Sequence, residues 1–378
     1  MKTKTMELYL HIPFCVQKCN YCDFCSFQAS KEVITDYMAQ LKREIAAWGS
    51  RLSDKTVSTV FIGGGTPSCI DAAYIAEICQ CTAQNFSLEQ GAEITMEANP
   101  GTVTMEKLQT YRQAGITRLS FGLQSTIQEE LDYLGRIHTY EGFLESFHMA
   151  RACGFDNINV DLMSAVPKQT LSTYEASLRT VAKLAPEHIS AYSLIIEDGT
   201  AFAEDQELWK YLPTEEEEVR MYQMTKDILG EYGYSRYEIS NYSKTGYECK
   251  HNLGYWSQIP YLGLGLAAAS YLEGKRFSNP DSMEKYQQMP SFFQAFEEAE
   301  PLSVNEKIEE FMFLGLRKQK GVSREEFFQT FHKTMDSYYQ RVIEKSIEQG
   351  WIAEEGDFIA LTDQGILISN QVLCEFLL

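Results

Sequence analysis

The chain has 378 residues, of which 44% are hydrophobic and 12% aromatic, a composition typical of a folded protein. Its net charge of −20, from 33 basic and 53 acidic residues, argues against a nucleic-acid partner, because a phosphate backbone requires a Lys/Arg surface. Residues 1–7 are polar, unlike a signal peptide, and the most apolar stretch, residues 261–272, is too short to span a bilayer. We therefore expect a cytoplasmic protein without a transmembrane segment.

Short β-rich segments alternate with amphipathic helical segments over the first two hundred residues. The predicted strands are residues 8–12, 57–62, 93–98, 118–122, 157–162 and 188–194. The predicted helices between them are residues 33–48, 72–85, 105–114, 140–153 and 170–184. This alternation indicates an α/β fold in which crossover helices join parallel strands.

Polar residues stand at or just past the ends of four predicted strands, and they indicate which α/β fold forms. These residues are Gly63-Gly64-Gly65, Glu97, Gln124 and Asp161. In a (β/α) barrel, such strand ends converge on one mouth, whereas a doubly wound sheet gathers its ligands at a single switch point. The pattern therefore favours a partial (β/α)6 TIM-like barrel over residues 1–200.

The regular alternation of predicted strands and helices ends after residue 196. We expect a barrel extension over residues 201–300, including a helix at 215–232 that is capped by Thr214 and Glu217. Residues 301–378 predict three helices, at 306–317, 324–331 and 335–348, followed by a small β-wing, and this order resembles a winged-helix domain. That segment holds 8 basic against 13 acidic residues, so a structural or partner-docking role is favoured over DNA binding.

Four of the ten cysteines lie within eleven residues near the start of the chain. In the loop after the first strand, Cys15, Cys19 and Cys22 can point at one centre and bind three irons of a 4Fe–4S cluster, which leaves the fourth iron without a protein ligand. The alternatives are a zinc site completed by Cys25 or His11 and a set of buried thiols. Zinc sites typically use paired Cys-x2-Cys knuckles far apart in sequence, so the spacing favours the cluster.

The cysteine loop, with an aromatic residue at Tyr21, resembles the signature of the radical S-adenosylmethionine (SAM) superfamily. Further motifs follow in order: Gly63-Gly-Gly-Thr-Pro67, Glu93-Ile-Thr-Met-Glu97-Ala-Asn-Pro100, Ser120-Phe-Gly-Leu-Gln124-Ser125, Asn159-Val-Asp161 and Pro167-Lys-Gln-Thr170. Together with residues 360–365, they resemble the branch that contains the oxygen-independent coproporphyrinogen III oxidases and the haem chaperone HemW. This resemblance covers essentially the whole chain.

The resemblance implies that SAM chelates the open iron through its amino and carboxylate groups. The glycine-rich turn would let backbone approach this ligand, although a glycine run by itself often marks a tight turn. Glu97 would pair with the cationic part of SAM, and Asp161 would bind a ribose hydroxyl or a second ligand. Arg136 would pair with a carboxylate, although an exposed surface arginine is the commoner case. The remaining implied SAM-binding residues are Tyr9, Tyr21, Gly64, Gly65, Thr66 and Gln124.

A second motif, Cys249-Lys-His251-Asn252-Leu-Gly-Tyr255-Trp256, resembles a haem-binding motif of the same branch. Imidazole is a standard axial ligand of haem iron, and aromatic rings can pack against a porphyrin face. Cys249 is an alternative soft ligand. Spacing alone favours a histidine satisfied beside two core aromatic residues, whereas the resemblance over the whole chain favours haem.

Two features weigh against the decarboxylating oxidases of this branch. Those enzymes carry a fourth cysteine where this chain has Phe24, and they have a long N-terminal extension, whereas eight residues precede Tyr9 here. Ala269 stands where the family commonly has a histidine, which puts the haem geometry in question. We therefore expect a haem chaperone for a respiratory acceptor protein, with the oxidase as the alternative. The sequence leaves open whether SAM is cleaved. The acidic surface predicts that any association with a membrane requires a protein partner.

Overall fold

The computed structural model of the chain describes residues 4–378. Its strands are β1 (Thr5–Ile12), β2 (Thr56–Gly64), β3 (Ser87–Ala98), β4 (Arg118–Gln124), β5 (Ile158–Ser164), β6 (His188–Ser193), β7 (Ser235–Arg236), β8 (Asn241–Ser243), β9 (Tyr261–Leu264), β10 (Ala269–Leu272), β11 (Lys275–Ser278), β12 (Val322–Ser323), β13 (Ile352–Glu355) and β14 (Phe358–Leu361). Its helices are α1 (Lys31–Arg51), α2 (Ala72–Asn85), α3 (Met105–Gln113), α4 (Gln128–Tyr133), α5 (Tyr140–Ala152), α6 (Leu171–Lys183), α7 (Ala201–Glu204), α8 (Glu215–Glu231), α9 (Lys250–Trp256), α10 (Met283–Gln287), α11 (Gln294–Glu298), α12 (Val304–Gly315), α13 (Arg324–Phe331), α14 (Asp336–Glu348), α15 (Asp363–Leu367) and α16 (Ser369–Cys374).

The first six strands are parallel and lie side by side in the order of the chain. A doubly wound sheet would reverse its strand order at a switch point, so the sequential order identifies a partial barrel. All six strands predicted from the sequence are present. The predicted α/β barrel-like fold is therefore confirmed.

The barrel strands alternate in polarity, with apolar side chains outside and polar side chains inside. On β1, Leu8 and Leu10 are buried in the apolar core, whereas Glu7 on the opposite face is buried in the interior. On β4, Leu119 and Phe121 face the core, while the interleaved polar residues line a cavity. The interior of this barrel is thus a polar chamber, and the sheet is held by the apolar layer beneath its helices.

Side-chain caps define where the crossover helices begin. Ser30, Asp71, Thr104, Thr139 and Thr170 each accept a backbone N–H in the first turn of the following helix. The predicted cap of α8 is also present, because Thr214 and Glu217 form a reciprocal capping box. The run of four glutamates at residues 215–218 therefore occupies the positive end of a helix dipole.

The segment after residue 200 extends the same sheet on both sides. Strand β9 pairs with β1 in parallel, and β8 pairs with β6 in the antiparallel sense, which gives an eleven-stranded sheet. Helix α9 packs against β2 and against α12. These strands have two to four residues, too few for a periodic pattern, so the sequence did not predict their pairing.

The C-terminal region has its own apolar core, which runs from Ile308 to Phe376. Helices α12, α13 and α14 pack with a three-stranded sheet in the order β12-β14-β13. This is the predicted winged-helix-like arrangement, and the domain boundaries at residues 200 and 300 stay predictions. Ion pairs link the region to the barrel extension, including one between Arg276 and Glu310. Within residues 4–378, no helix combines the length and apolarity that crossing a membrane requires.

Candidate functional site

A cavity of about 370 Å³ opens at the carboxyl ends of β1 to β6, an opening that we call the mouth. Its wall contains eleven residues predicted to bind the cluster or SAM, namely Cys15, Cys19, Tyr21, Cys22, Gly64, Gly65, Thr66, Glu97, Gln124, Arg136 and Asp161. Tyr9, by contrast, lies behind the wall. Its hydroxyl lies 3.0 Å from His11 Nδ1, and its ring stacks on Phe61. The structure thus brings together residues that span almost 150 positions in sequence.

The three candidate cluster ligands lie on the loop that follows β1. Backbone hydrogen bonds shape this loop: Cys15 N donates to Phe27 O at 3.0 Å, and Cys22 N donates to Cys19 O at 3.2 Å. All three thiols are part-buried and outside any disulfide bond. Three sulfur donors around one cavity are the donor set that an iron–sulfur cluster requires.

The groups that would complete a zinc site point elsewhere. Cys25 Sγ lies 3.7 Å from Asp281 O and is absent from the cavity wall. His11 has both ring nitrogens engaged, at 3.0 Å from the Tyr9 hydroxyl and 2.9 Å from Cys25 O. Among residues 4–378, no three His, Cys, Asp or Glu side chains converge on a point that would hold a single ion. A cluster is larger than one ion, so its thiolates stand further apart.

The glycine-rich turn after β2 permits a close approach that other residues would block. Gly64 has a φ of +116°, and a Cβ atom there would lie 2.4 Å from the His11 ring. A Cβ atom on Gly65 would lie 2.6 Å from Phe14 O and 3.0 Å from Cys15 Sγ. The lack of Cβ atoms therefore allows the turn to pack directly against β1 and the cysteine loop.

Two part-buried carboxyl groups face the cavity from β3 and β5, the strands on either side of β4. Glu97 Oε2, at the end of β3, accepts a hydrogen bond from Gly64 N at 3.0 Å. Burial, with an added contribution from the charge of Asp161, raises the pKa of Glu97 to about 7. Asp161, on β5, accepts from Asn159 Nδ2 at 2.7 Å, and burial also raises its pKa. Glu97 therefore changes its charge near neutral pH.

Arg136 reaches the cavity wall from the loop after α4. Its guanidinium donates to Cys19 Sγ at 3.3 Å, to Asn99 Oδ1 at 2.8 Å and to Gly122 O. This side chain is therefore anchored between the cysteine loop and β4 rather than exposed on the outer surface. It stands where an anionic group beside the cluster ligands would meet a positive charge.

The predicted haem motif forms α9, which packs against the floor of the cavity, the part nearest the amino ends of the strands. His251 is 1% exposed, with Nδ1 at 2.7 Å from Thr59 Oγ1 and Nε2 at 2.8 Å from the Tyr255 hydroxyl. Its ring stacks on Phe61 at 5.2 Å. Burial, with help from the charge of Arg118, lowers the pKa of His251 to about 3. The imidazole is thus neutral and hydrogen-bonded on both sides, and its ligation of haem stays a prediction.

The other residues of the haem motif have separate surroundings. Asn252 lines the cavity, and Trp256 Nε1 donates to Glu238 Oε2 at 3.1 Å. Cys249 is fully buried, its Sγ lies 3.7 Å from Glu93 Oε1, and burial raises the pKa of its thiol to about 12. Ala269, the departure from the family pattern, is exposed on β10.

Several wall residues were not singled out by the sequence, among them Phe61, Asn99 and Arg118. Phe61 lies between Tyr9 and His251 and stacks on both rings, so it connects the wall to the floor. The alternation along β2, which turns residue 61 to the same face as Gly63, is a signal that could have found it. Asn99 immediately follows β3, where strand-end residues collect.

The fold and the site define the class of protein. Residues 9–181 match the Radical SAM superfamily, and residues 302–368 match the HemN C-terminal domain. The solved structure of coproporphyrinogen III oxidase (HemN) from Escherichia coli, a radical SAM enzyme, superposes with a TM-score of 0.85. That match covers 99% of this chain and 90% of HemN at 22% sequence identity, a likeness of fold. The chain is therefore built as a radical SAM protein with a HemN-like C-terminal domain.

Curated relatives narrow the class to a family. The haem chaperone HemW of Bacillus subtilis (strain 168) is 35% identical, and the match covers 98% of both chains. The haem chaperone HemW of Escherichia coli (strain K12) is 33% identical, with 100% of this chain and 99% of the relative covered. The chain belongs to the haem chaperone HemW family.

Proposed function

We propose that the chain is a cytoplasmic haem chaperone that holds a 4Fe–4S cluster, binds SAM and haem, and passes haem to an acceptor protein of the respiratory chain. The observation that carries the proposal is the cavity, in which three part-buried thiols face Glu97 and Asp161 in a member of the HemW family. The acceptor would be met through a protein contact, since the net charge of −20 disfavours anionic lipid.

The cysteine loop and the strand ends opposite it would hold the first two cofactors. The thiolates of Cys15, Cys19 and Cys22 would bind three irons of the cluster, and the amino and carboxylate groups of SAM would take the fourth. When bound, the cluster supplies the electron by which radical SAM proteins can cleave the sulfonium. The turn at Gly64 and Gly65, which packs against the cysteine loop and lines the cavity, would present backbone to the ligand's amino group.

The remaining wall residues would fix the orientation of SAM. Ionised Glu97 would pair with the cationic part of SAM, and Asp161 would accept a hydrogen bond from a ribose hydroxyl. Gln124 is already oriented, because its Oε1 accepts from the Tyr192 hydroxyl at 3.0 Å. Arg136 would pair with the carboxylate beside the cysteine loop. Tyr21 would pack against the bound ligand from that loop, whereas Tyr9 would act from behind Phe61.

His251 would ligate haem iron through Nε2, while Thr59 holds Nδ1. A hydrogen bond to the second nitrogen is the usual way in which a ligating imidazole is oriented. Ligation requires the Tyr255 hydroxyl to release Nε2, and the rings of Tyr255 and Trp256 would then pack against the porphyrin. Cys249 fits the role less well, because a thiol with a pKa of about 12 stays protonated and the thiolate is the ligand form.

A line of aromatic contacts gives haem a route to this imidazole. The centroid of the Tyr255 ring lies 4.7 Å from that of His251 and 4.5 Å from that of Tyr261, and the ring centroids of Tyr261 and Tyr271 are 6.5 Å apart. Tyr271 lines a surface groove of about 400 Å³ together with Pro260 and Gln258. Haem entering from this groove would replace ring–ring contacts with porphyrin contacts of the same kind.

The test is a haem titration of anaerobically reconstituted protein beside a coproporphyrinogen III decarboxylation assay on the same sample. Analysis of about four irons and four sulfides per chain would establish the cluster. We expect a saturable haem absorbance change, which the His251→Ala variant lacks, and no decarboxylation. Haem should then move to the apo form of a haem-containing respiratory enzyme when the two proteins are mixed. Rapid decarboxylation without haem binding would contradict the proposal and identify an oxidase.

A further inference from the structure

Arg118 is a buried cation for which the structure of residues 4–378 shows neither a hydrogen-bond partner nor an ion-pair partner. It is the first residue of β4, it is 2% exposed, and it lines the cavity near its floor. Across residues 4–378, no hydrogen bond or ion pair is formed by its guanidinium, and its Nε atom is both buried and unpaired. Burying an unpaired charge is costly, so a guanidinium in this position calls for an anionic or hydrogen-bonding partner.

The carboxyl groups near Arg118 are already engaged with other donors. Glu93 Oε1 lies 3.7 Å from Cys249 Sγ and accepts from His251 N at 3.5 Å. Asp161 accepts from Asn159 Nδ2 at 2.7 Å. Both carboxyl groups influence Arg118 through their charge, yet neither is within ion-pair distance of it. The face of Arg118 toward the cavity is therefore available to a ligand.

Two neutral side chains on the same wall add hydrogen-bond donors. Ser120, one inward position further along β4, accepts from Asn159 Nδ2 at 2.7 Å through its Oγ. That bond leaves the Ser120 hydroxyl hydrogen for an acceptor in the cavity. Asn252 presents its amide from α9. A guanidinium, a hydroxyl and an amide on one wall form a donor set for a carboxylate, and the planar fork of arginine matches it with two parallel bonds.

We infer that the floor of the cavity is a binding site for the carboxylate group of a ligand, with Arg118 as its main contact and Ser120 and Asn252 beside it. The site is separate from the cysteine loop, where Arg136 serves the mouth. The carboxylate can come from a tetrapyrrole propionate or from a small free carboxylate. The first source rests on the proposed haem function, whereas the second does not.

The experiment compares full-length wild-type protein with the Arg118→Gln variant against three probes. Haem and haem dimethyl ester, whose propionates are blocked, are titrated by absorbance, and propanoate is followed by saturation-transfer NMR. If a haem propionate is the source of the carboxylate, Arg118→Gln weakens haem binding by about ten- to a hundredfold and leaves the affinity for the dimethyl ester unchanged. If a free carboxylate is the source, the variant loses the propanoate signal and haem binding is unaffected.

Conservative variants keep the test decisive if Arg118→Gln does not fold. Arg118→Lys keeps the charge but loses the fork, so we expect an intermediate loss, and Ser120→Ala should weaken the same probe by a few-fold. Arg341→Gln, on the exposed face of α14, is the matched control for loss of an arginine. If folded Arg118 variants bind haem and propanoate as the wild type does, the inference is overturned. Failure of the wild type to bind haem would count against the proposed function alone, since propanoate still reports on Arg118.

Discussion

The mouth and the floor of the barrel both hold candidate metal ligands, but those at the mouth are accessible and those at the floor are buried. At the mouth, three part-buried thiols and a glycine-rich turn surround open space. At the floor, His251 is 1% exposed, and both of its ring nitrogens are hydrogen-bonded to Thr59 and Tyr255. The thiols at the mouth already border open space, whereas ligation at the floor must first break the buried hydrogen bond between His251 and Tyr255.

This difference follows from where the chain places its hydrogen-bond partners. The loop after β1 uses backbone contacts to hold its shape, and its cysteine side chains make only weak contacts, such as the one between Arg136 and Cys19 Sγ at 3.3 Å. Helix α9 instead packs directly on β1, so closely that a Cβ atom on Gly254 would lie 2.0 Å from Glu7 Oε1. Cofactor binding at the mouth and haem binding at the floor should therefore respond differently to mutation and to pH.

The largest effect is expected from the cysteine loop. Cys22→Ser should abolish the cluster, because a cubane needs three protein thiolates to leave one open iron. Iron and sulfide analysis of anaerobically reconstituted protein should fall from about four of each per chain to near zero. Cys25→Ser, the control from the same loop, should retain the full content, since Cys25 Sγ lies against Asp281 O. A cluster lost equally in both variants would contradict the ligand assignment.

Removing the charge of Glu97 should weaken SAM binding and leave the cluster in place. Glu97→Gln should lower SAM affinity by about ten- to a hundredfold, the range for a charged hydrogen bond. Because the pKa of Glu97 is raised to about 7, wild-type affinity should increase as the pH rises from 6 to 8, while the variant stays flat. Equilibrium dialysis with labelled SAM measures both effects. A pH profile shared by the two proteins would assign the titration to another group.

At the floor, Glu7 should make stability depend on pH. Burial raises its pKa from 4.5 to about 9, and its Oε2 atom has no hydrogen-bond partner. A carboxyl group with a raised pKa stabilises the fold below about pH 4.5, and this contribution is lost as the pH rises through 9. Between these two pH values the wild type should lose about 1.4 kcal/mol of stability per pH unit, so Glu7→Gln should gain up to about 3 kcal/mol relative to wild type from pH 6 to pH 8 in urea unfolding. Parallel curves for the two proteins would show that Glu7 is ionised already at pH 6.

The smallest effect concerns the bond that must break before haem binds. Tyr255→Phe removes the hydroxyl that competes with iron for His251 Nε2 but keeps the ring. Losing one hydrogen bond of about 1 kcal/mol should tighten haem binding by about five-fold. Haem titration followed by absorbance gives the change. A weaker affinity in this variant would mean that the Tyr255 hydroxyl contacts haem directly rather than competing with it.

The sequence predicted the mouth more completely than the floor, and the reason is physical. Strand–helix alternation places strand ends such as Glu97 and Asp161 at one opening, so eleven of the twelve predicted cluster and SAM residues could be brought together by topology alone. Tyr9 is the one predicted residue of this set outside the cavity wall, because its ring packs behind Phe61. Packing of that kind leaves no signal in spacing.

The floor depends on contacts that span the chain. Thr59 and His251 are 192 positions apart, and their hydrogen bond forms because α9 folds back under β2. No local pattern predicts such a pairing. Arg118 was missed for a similar reason, since an arginine at the start of a strand is usually exposed. Its burial follows from the closure of the barrel extension around it.

The most direct test of the account is the electron paramagnetic resonance spectrum of the reduced, reconstituted protein with and without SAM. If Cys15, Cys19 and Cys22 leave one iron open to SAM, adding SAM should change the signal of the cluster, and Glu97→Gln should require more SAM for the same change. A fully loaded cluster whose spectrum is unchanged at saturating SAM would contradict the account.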